Sequence, residues 1–241
     1  MKIKKTNAFI FGCLVLSLFG CKKLVKPESA KEREEWRASL TDSITVYQAK
    51  IDSIQMALAE IHSKIGNTLN NFAYISNPRE VSGYYILDGW QNRYPLKQTG
   101  IVARINEDEA LEVIAALSKG SFTHVSLSSE GQEYTSRPVP HDQAFNYKTA
   151  DLNTVCFTGG SADSIAMFIS NHRENPIKLT FIENNTTGNF TIPQDEKNMI
   201  SSTWNLYSTQ REAREIEKSI SLYSARINAC RKIIETTDSI N

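Results

Sequence analysis

The amino-acid sequence predicts an α+β fold in which a long helix near each end of the chain flanks an inserted domain with a mixed β-sheet. Apolar residues recur every three or four positions over residues 30–72 and again over 201–241, which is the spacing of a coiled-coil seam. Residues 73–200 instead alternate short apolar runs with polar turns, and two segments of this region resemble each other. Together these observations favour an antiparallel two-helix coiled-coil stalk that carries an α+β domain.

Length and composition are those of an ordinary globular protein with one or two domains. The 241 residues include 27 basic and 27 acidic side chains, so the formal net charge is zero. A nucleic-acid-binding protein usually carries a basic stripe, and we therefore expect no nucleic-acid partner. After the N-terminal segment, no apolar run approaches the ~18 residues that span a bilayer.

The N-terminal segment has the organisation of an export signal. Lys2, Lys4 and Lys5 precede an apolar stretch, residues 8–19, that is too short for a permanent membrane span. The tetrapeptide Leu18-Phe19-Gly20-Cys21 then places a small residue directly before a cysteine.

This tetrapeptide resembles the lipobox of bacterial lipoproteins. The resemblance implies that residues 1–20 are a signal peptide and that Cys21 is the lipidated residue at the start of a linker, 21–29. It also implies a palmitate-type acyl anchor in the membrane of the cell envelope. Lys22 follows the cysteine where inner-membrane lipoproteins commonly have Asp, which favours the outer membrane, facing the periplasm.

The first predicted helix, 30–72, has a start signal and an apolar seam of more than four heptads. Ser29 can cap the helix, and Glu32 follows three residues later, as in a capping box. The seam consists of Trp36, Leu40, Ile44, Tyr47, Ile51, Ile54, Leu58, Ile61, Ile65, Leu69 and Phe72.

The second predicted helix, 201–241, has a seam of Ala213, Ile216, Ile220, Tyr223, Ile227, Cys230 and Ile234. An exposed apolar stripe of this length is unfavourable in water, whereas two helices of equal length can bury their stripes on each other. We therefore expect an intramolecular hairpin. The alternatives are pairing between two chains, which would make a homo-oligomer, and separate packing of each helix on the central domain.

The inserted region contains two similar segments, about 101–137 and 155–192, which align when the sequence is shifted by 54 residues. Each is predicted as a βαββ unit, with helix starts at Asn106 and Ser161. Right-handed crossovers would then make two parallel strand pairs in a mixed sheet. Before the first unit, Asp88-Gly89 predicts a type I′ hairpin between residues 84–87 and 90–94.

Aromatic residues on this hairpin and on the loop between the units are the candidate binding residues. Their rings suit stacking on a sugar or on the apolar side chain of a partner protein, while packing in the core is the alternative. The candidates are Tyr84, Tyr85, Trp90, Tyr94 and Tyr147, with Phe145 beside them.

No catalytic residue, cofactor or metal site is predicted, because no Cys, His or carboxylate cluster has metal-ligand spacing. Cys156 and Cys230 are expected to be buried free thiols. A His-Asp neighbour pair can orient an imidazole for base catalysis. His141 and Asp142 therefore make a periplasmic enzyme acting on cell-wall or glycan substrates the alternative function.

An Asp-Ser-Ile motif recurs four times and resembles an O-glycosylation signal of Gram-negative bacteria. The acceptors would be Ser43, Ser53, Ser164 and Ser239. The alternative is that each motif only places Ile on a buried helix face. Taken together, the sequence predicts a non-enzymatic, membrane-anchored binding or scaffold protein that presents its α+β domain to an envelope protein or a glycan.

Overall fold

The computed structural model describes residues 29–76, 82–149, 151–184 and 186–238. Within these ranges the chain forms three helices and two antiparallel sheets, so the predicted α+β class is confirmed. The predicted signal peptide, Cys21 and Ser239 lie outside the described residues.

Two of the helices are long and one is short: α1 is Ala30–Leu69, α2 is Gly159–Asn171 and α3 is Gln194–Asp238. The strands before α2 are β1 Phe72–Ile75, β2 Tyr84–Leu87, β3 Gly100–Asn106, β4 Leu111–Ser118, β5 His124–Ser129, β6 Gln132–Thr135, β7 Asn146–Thr149 and β8 Leu152–Thr158. After α2 come β9 Lys178–Glu183 and β10 Thr186–Thr191.

The described residues form two compact units. One unit contains the residues up to Lys50 and those from Tyr223 onward, and the other is Ile51–Leu222, which includes both sheets. The second unit extends beyond the predicted domain, 73–200, because parts of both long helices pack on its core. These helix residues include Ile65, Leu69, Trp204 and Tyr207.

Every strand pairing is antiparallel, so the predicted mixed sheet with parallel pairs is wrong. One sheet has six strands in the order β1-β2-β3-β4-β8-β7, and the other has four in the order β10-β9-β5-β6. The predicted parallel crossover fails because α2 connects β8 in the first sheet with β9 in the second sheet.

The first predicted βαββ unit contains a strand, β4, where a helix was expected. Because β4 is covered on both faces, residues 113–117 are a continuous apolar run, which resembles a segment of a buried helix. Asn106 does not cap a helix. Its side-chain oxygen accepts the Ala110 N–H at 2.9 Å and closes the β3–β4 turn.

The two sheets contain two units of four strands with matching pairing. The first unit is β3–β6 and the second is β7–β10. Strands β4 and β8 pair in the centre of one sheet with β3 and β7 beside them, and β5 and β9 pair in the other sheet with β6 and β10 beside them. Only the second unit has a helix, α2, between its two hairpins.

The start of α1 and the buried faces of both long helices follow the sequence prediction. The Ser29 hydroxyl accepts the Glu32 N–H at 3.2 Å, and the Glu32 carboxylate accepts the Ser29 N–H at 3.0 Å. This is the predicted capping box. All the predicted seam residues are buried or half-buried, although Phe72 begins β1 rather than ending α1.

Helix α3 begins at Gln194, before the predicted start at Ser201. Pro193 directly precedes it, Asp195 and Glu196 lie in its first turn, and Lys197 N–H donates to Pro193 O at 3.1 Å. Proline and acidic residues favour a helix N-terminus because its first N–H groups are unpaired and positively polarised.

This first turn of α3 covers an edge of β3. Strand β2 pairs with β3 only at Ile105 and Asn106, which leaves N–H groups of β3 uncovered. The Glu196 carboxylate accepts the Ile101 N–H at 3.1 Å, and the Met199 sulfur accepts the Ala103 N–H at 3.4 Å. The helix thereby satisfies backbone groups that a neighbouring strand would otherwise bind.

The predicted type I′ hairpin at Asp88-Gly89 does not form. The chain does turn here, with Trp90 N–H donating to Leu87 O at 3.0 Å. A type I′ turn needs a positive φ at both central residues, however, and of the two only Gly89 has one, 86°. Residues 90–94 form further turns instead of a strand, and β2 pairs with β1 and β3. The indole of Trp90 is buried in the core, which draws this segment away from the sheet.

Candidate functional site

A polar cleft of about 880 Å³ lies within the unit Ile51–Leu222. Its walls come from the last turns of α1 and from the part of α3 that follows Ser201, and its floor comes from β1 and the end of β2. A second cavity of about 550 Å³ shares Lys64, Thr68 and Asn71 with it. The two cavities therefore make one groove that continues along α1.

The α1 wall is a row of polar side chains at helical spacing. Lys64 and Thr68 are four residues apart and lie on one face of α1, and Asn71 follows just after the helix ends at Leu69. The Thr68 hydroxyl donates to Lys64 O at 2.8 Å. Its lone pairs therefore remain available to accept hydrogen bonds in the cleft.

The α3 wall is a second row of the same character, formed by Ser202, Asn205, Ser208, Thr209 and Glu212. The hydroxyls of Thr209 and Ser208 both donate to Asn205 O, at 2.7 and 3.2 Å. They too present acceptors to the cleft, and the side-chain amide of Asn205 adds donors.

The floor of the cleft is apolar and fixed by the backbone. Phe72 is 9% exposed and belongs to the core, and Leu87 packs against the same core. Asp88 N–H donates to Asn71 O at 2.9 Å, which ties the turn after β2 to the end of α1.

The charged residues of the cleft are unpaired and carry a small acidic excess. The lining contains one basic residue, Lys64, and two acidic residues, Asp88 and Glu212. Among the described residues, none of these three side chains has an ion-pair or hydrogen-bond partner. Unpaired donors and acceptors on two facing helices can bind a polar ligand reversibly, by hydrogen bonds.

No family model, curated protein or solved structure matches this chain.

Two of the predicted aromatic binding residues, Tyr84 and Trp90, lie in the core. Tyr84 is 6% exposed and Trp90 is 7% exposed, so neither ring presents a binding surface. The Tyr84 ring meets the Tyr94 ring edge-on, with centroids 5.5 Å apart, and Arg104 lies over Tyr84 at 4.3 Å. The guanidinium of Arg93 lies 3.9 Å from the Trp90 ring centroid.

The remaining aromatic candidates do not assemble into one patch. Tyr85 is half-buried beside Tyr74, with ring centroids 5.1 Å apart. Tyr147 lies on β7, at the opposite edge of the six-stranded sheet from β1, with Phe145 just before this strand. The rings of Tyr147 and Phe145 are both exposed.

His141 and Asp142, the alternative catalytic pair, have separate partners. The Nε2 atom of His141 lies 2.6 Å from the Glu183 carboxylate, which also accepts the Ser121 hydroxyl. These hydrogen bonds hold the pKa of Glu183 below its usual value. The Glu183 carboxylate thus lies between Ser121 and His141. The imidazole does not contact the serine hydroxyl and is not placed to take its proton as a general base.

The Asp142 carboxylate instead accepts backbone N–H groups of its own loop. Its Oδ1 atom lies 2.7 Å from Ala144 N and 2.5 Å from Phe145 N. The backbone hydrogen bond from Phe145 is the main cause of the lowered pKa of Asp142. This carboxylate orders the loop between the two four-strand units.

Cys156 is a buried free thiol, as predicted, and Cys230 is free and half-buried. Burial raises the pKa of the Cys156 thiol to about 12, so the reactive thiolate is scarce at neutral pH. Within the described residues, no three His, Cys or acidic residues are arranged to hold a metal ion. The same part of the chain contains no helix that is long and apolar enough to span a membrane.

The serines of the Asp-Ser-Ile motifs differ in exposure. Ser53 is exposed, whereas Ser43 and Ser164 are half-buried. The Ser43 hydroxyl donates to Ser39 O at 2.8 Å. The fourth motif, at Ser239, lies outside the described residues.

The cleft was not predicted from the sequence, although its lining residues follow a regular pattern. Ser63, Asn67 and Asn71 repeat at helical spacing beside the α1 seam, and Ser202, Asn205 and Thr209 repeat on α3. Each row alone resembles an ordinary solvated helix face. Only the packing of both helices on the same core shows that the rows line one cleft.

Proposed function

We propose that this protein is a membrane-anchored lipoprotein of the cell envelope that acts as a non-enzymatic binding or scaffold protein. The observation that carries the binding role is the polar cleft, in which polar side chains of α1 and α3 line an open volume of about 880 Å³. The anchor is supported by the resemblance of Leu18-Phe19-Gly20-Cys21 to a lipobox. That resemblance also favours the outer membrane, on its periplasmic face.

The proposed function includes pairing of α1 with α3 as an antiparallel coiled coil. One compact unit contains the residues up to Lys50 and those from Tyr223 onward. In this unit the rings of Tyr47 and Tyr223 stack with their centroids 5.8 Å apart. The Lys50 ammonium lies 5.5 Å from the Tyr223 ring, and the Arg226 guanidinium 5.6 Å from the Tyr47 ring. These cation–π contacts supplement the apolar seam at this position.

The helix pairing is tested by the mass of the particle in solution. Sedimentation of the purified full chain in detergent is expected to give a monomer, because each chain would supply both helices of its own pair. A dimer that dissociates when Tyr47 and Tyr223 are both replaced by Glu would show that the helices pair between chains.

The anchor is tested by Cys21→Ser, with Cys13→Ser as the matched control. Cys13 lies within the predicted signal peptide, so its replacement should leave the mature protein unchanged. We expect Cys21→Ser to abolish the mass increase from acylation, whereas Cys13→Ser should leave it in place. A mass increase that survives Cys21→Ser would contradict the proposed anchor.

The binding role is tested by crosslinking in cells. A photoreactive amino acid in place of Asn205 would lie in the cleft, and one in place of Asn228 would lie on an exposed part of α3 outside it. A binding protein should give a discrete crosslinked product from position 205 alone. Identical products from both positions would contradict a partner in the cleft.

A further inference from the structure

We propose that the cleft binds an uncharged, polyhydroxylated saccharide chain. This inference rests on the proposed function as a binding protein and identifies the chemical class of its ligand. It concerns the groove between the α1 row, from Lys64 to Asn71, and the α3 row, from Ser202 to Glu212.

The first argument is the chemistry of the walls. Their side chains are mostly hydroxyls and carboxamides, which both donate and accept hydrogen bonds, as sugar hydroxyls do. The hydroxyls of Thr68, Ser208 and Thr209 donate to carbonyls of their own helices, so they offer acceptors. The amides of Asn71 and Asn205 have no partner among the described residues and supply the donors.

The second argument is charge. Lys64 is the basic residue of the cleft, and Asp88 and Glu212 are its acidic residues. A site for a polyanion would need an excess of basic side chains, and a site for a polycation would need a larger acidic excess. The formal charge of the cleft lining is −1, and Glu60 in the second cavity makes it −2 for the whole groove. This acidic excess is too small for a polyion site and leaves hydrogen bonding as the main means of recognition, which matches an uncharged ligand.

The third argument is shape. The volume of about 880 Å³ lies in the range of about 300–1,000 Å³ that is typical of ligand sites. The second cavity extends the groove along α1 past Asn67 toward Glu60. An extended groove accommodates a chain of sugar rings, and the apolar floor at Leu87 can pack against the C–H face of a ring.

The experiment is a calorimetric titration of the purified full chain in detergent with two neutral trisaccharides. Triacetylchitotriose carries acetamido groups that pair with amides, and maltotriose carries hydroxyls alone, so the two probes separate amino-sugar chains from plain glucans. We expect saturable binding of at least one probe, with a Kd of about 1 mM or tighter.

Asn205→Ala tests the site, and Asn228→Ala on the same helix is the matched control. Both side chains are exposed, so neither substitution should impair folding, which the circular dichroism melting curve verifies. Asn205→Ala should weaken binding about ten-fold, since it removes both donors and an acceptor. Asn228→Ala should leave the Kd unchanged.

Three results would overturn the inference: no saturable heat with either probe, equal affinity in Asn205→Ala and the unmodified chain, or equal weakening by Asn228→Ala. If no saccharide binds while the crosslinker at position 205 still captures a discrete protein, the saccharide inference fails and the proposed binding function stands. If the titration shows no saccharide binding and the crosslinker at position 205 captures no discrete protein, the saccharide inference and the proposed binding function both fail.

Discussion

The two four-strand units of the sheet domain have the same pairing topology but differ in the connection between their hairpins. In the first unit, β4 leads to β5 through a short segment that contains Lys119 and Gly120. In the second, β8 leads to β9 through α2, a helix of 13 residues. The difference shows that the topology tolerates a whole helix at this connection without a change in strand pairing.

The starts of equivalent strands locate the extra residues. Strand β8 begins 41 residues after β4, at Leu152 against Leu111, and β9 begins 54 residues after β5, at Lys178 against His124. The shift thus increases by 13 residues, the length of α2. The 54-residue shift seen in the sequence is correct for the second hairpins, and it misaligns the first hairpins because the helix lies between them.

The largest effect is expected at the helix that distinguishes the units. Ile165 of α2 is fully buried, and α2 packs against β4 and β8. Ile165→Ala should lower the free energy of unfolding by about 4 kcal/mol, because it leaves a cavity in the shared core. The measurement is urea unfolding followed by tryptophan fluorescence.

The control for Ile165→Ala is Met167→Ala on the exposed side of α2, which should change the free energy of unfolding by less than about 0.5 kcal/mol. Equal, small losses for both variants would show that α2 is a peripheral insertion. In that case the two units would be energetically equivalent despite the helix.

The second effect concerns a polar network that joins the units. Asn153 of β8 is buried, and its side chain accepts the Phe122 N–H at 2.8 Å and donates to Asn146 Oδ1 and Tyr147 O, both at 3.0 Å. Asn153→Ala should cost about 3 kcal/mol in urea unfolding, because the Phe122 N–H is left buried without an acceptor.

Lys148→Ala is the matched substitution, because Lys148 is paired with Asn153 in the sheet but is exposed. It should be nearly neutral. If both variants unfold at the same urea concentration as the unmodified protein, the hairpin β7–β8 does not depend on this network. The contact between the units would then rest on apolar packing alone.

The third effect is a pH dependence at the edge of the first unit. Burial raises the pKa of Glu196 to about 7, although the Ile101 N–H opposes the shift. The folded protein therefore binds this proton more tightly than the unfolded chain. The stabilisation that this proton gives the fold is fully present below pH 4.5, which is the ordinary pKa of a glutamate. It is lost as the pH rises through about 7.

Glu196→Gln should remove this dependence. The variant should exceed the unmodified protein in stability by about 2 kcal/mol at pH 8 and by much less at pH 5, because Gln is uncharged and its oxygen can still accept the Ile101 N–H. Melting temperatures of both proteins across this pH range provide the measurement. Parallel curves would show that Glu196 is ionised without penalty.

The smallest effect is expected at the equivalent turns of the second hairpins. Glu130 and Gly131 have φ of 49° and 77° in the β5–β6 turn, which is the type I′ conformation, and Asn184 has φ of 52° after β9. Asn adopts this conformation at lower cost than Glu. Glu130→Asn should therefore raise the free energy of unfolding by about 0.5–1 kcal/mol, and the melting temperature should rise with it.

Asn184→Ala in the second unit should have the opposite sign and similar size. Thermal unfolding of the two variants compares the same turn position in both units. A gain from Asn184→Ala would show that the side chain of Asn184, rather than its backbone conformation, opposes folding there.

Local signals predicted the helices, whereas the identity of β4 depended on tertiary structure. The Ser29 capping box and the seam around Ile51 need only residues of one helix, and both are confirmed. Residues 111–118 form a strand because both faces of β4 are covered, and a short segment does not encode whether other elements will cover it. The start of α3 at Gln194 could have been predicted from Pro193 and from the acidic residues of the first turn, but it was not.

The candidate site could not be predicted because it depends on two distant segments. Asn71 follows the end of α1 and Asn205 lies in α3, and each has the appearance of a solvated polar residue in the sequence. The aromatic candidates had the opposite outcome. Aromatic rings serve in cores and in binding surfaces alike, and Tyr84 and Trp90 belong to the core.

The contact of α3 with the edge of β3 also has a consequence for the order of folding. Helix α3 follows every strand in the chain, so Ile101 and Ala103 are made well before Glu196 and Met199. Until α3 arrives, their N–H groups form an open template on which a strand of another nascent chain can add. Chains truncated before residue 194 should therefore aggregate.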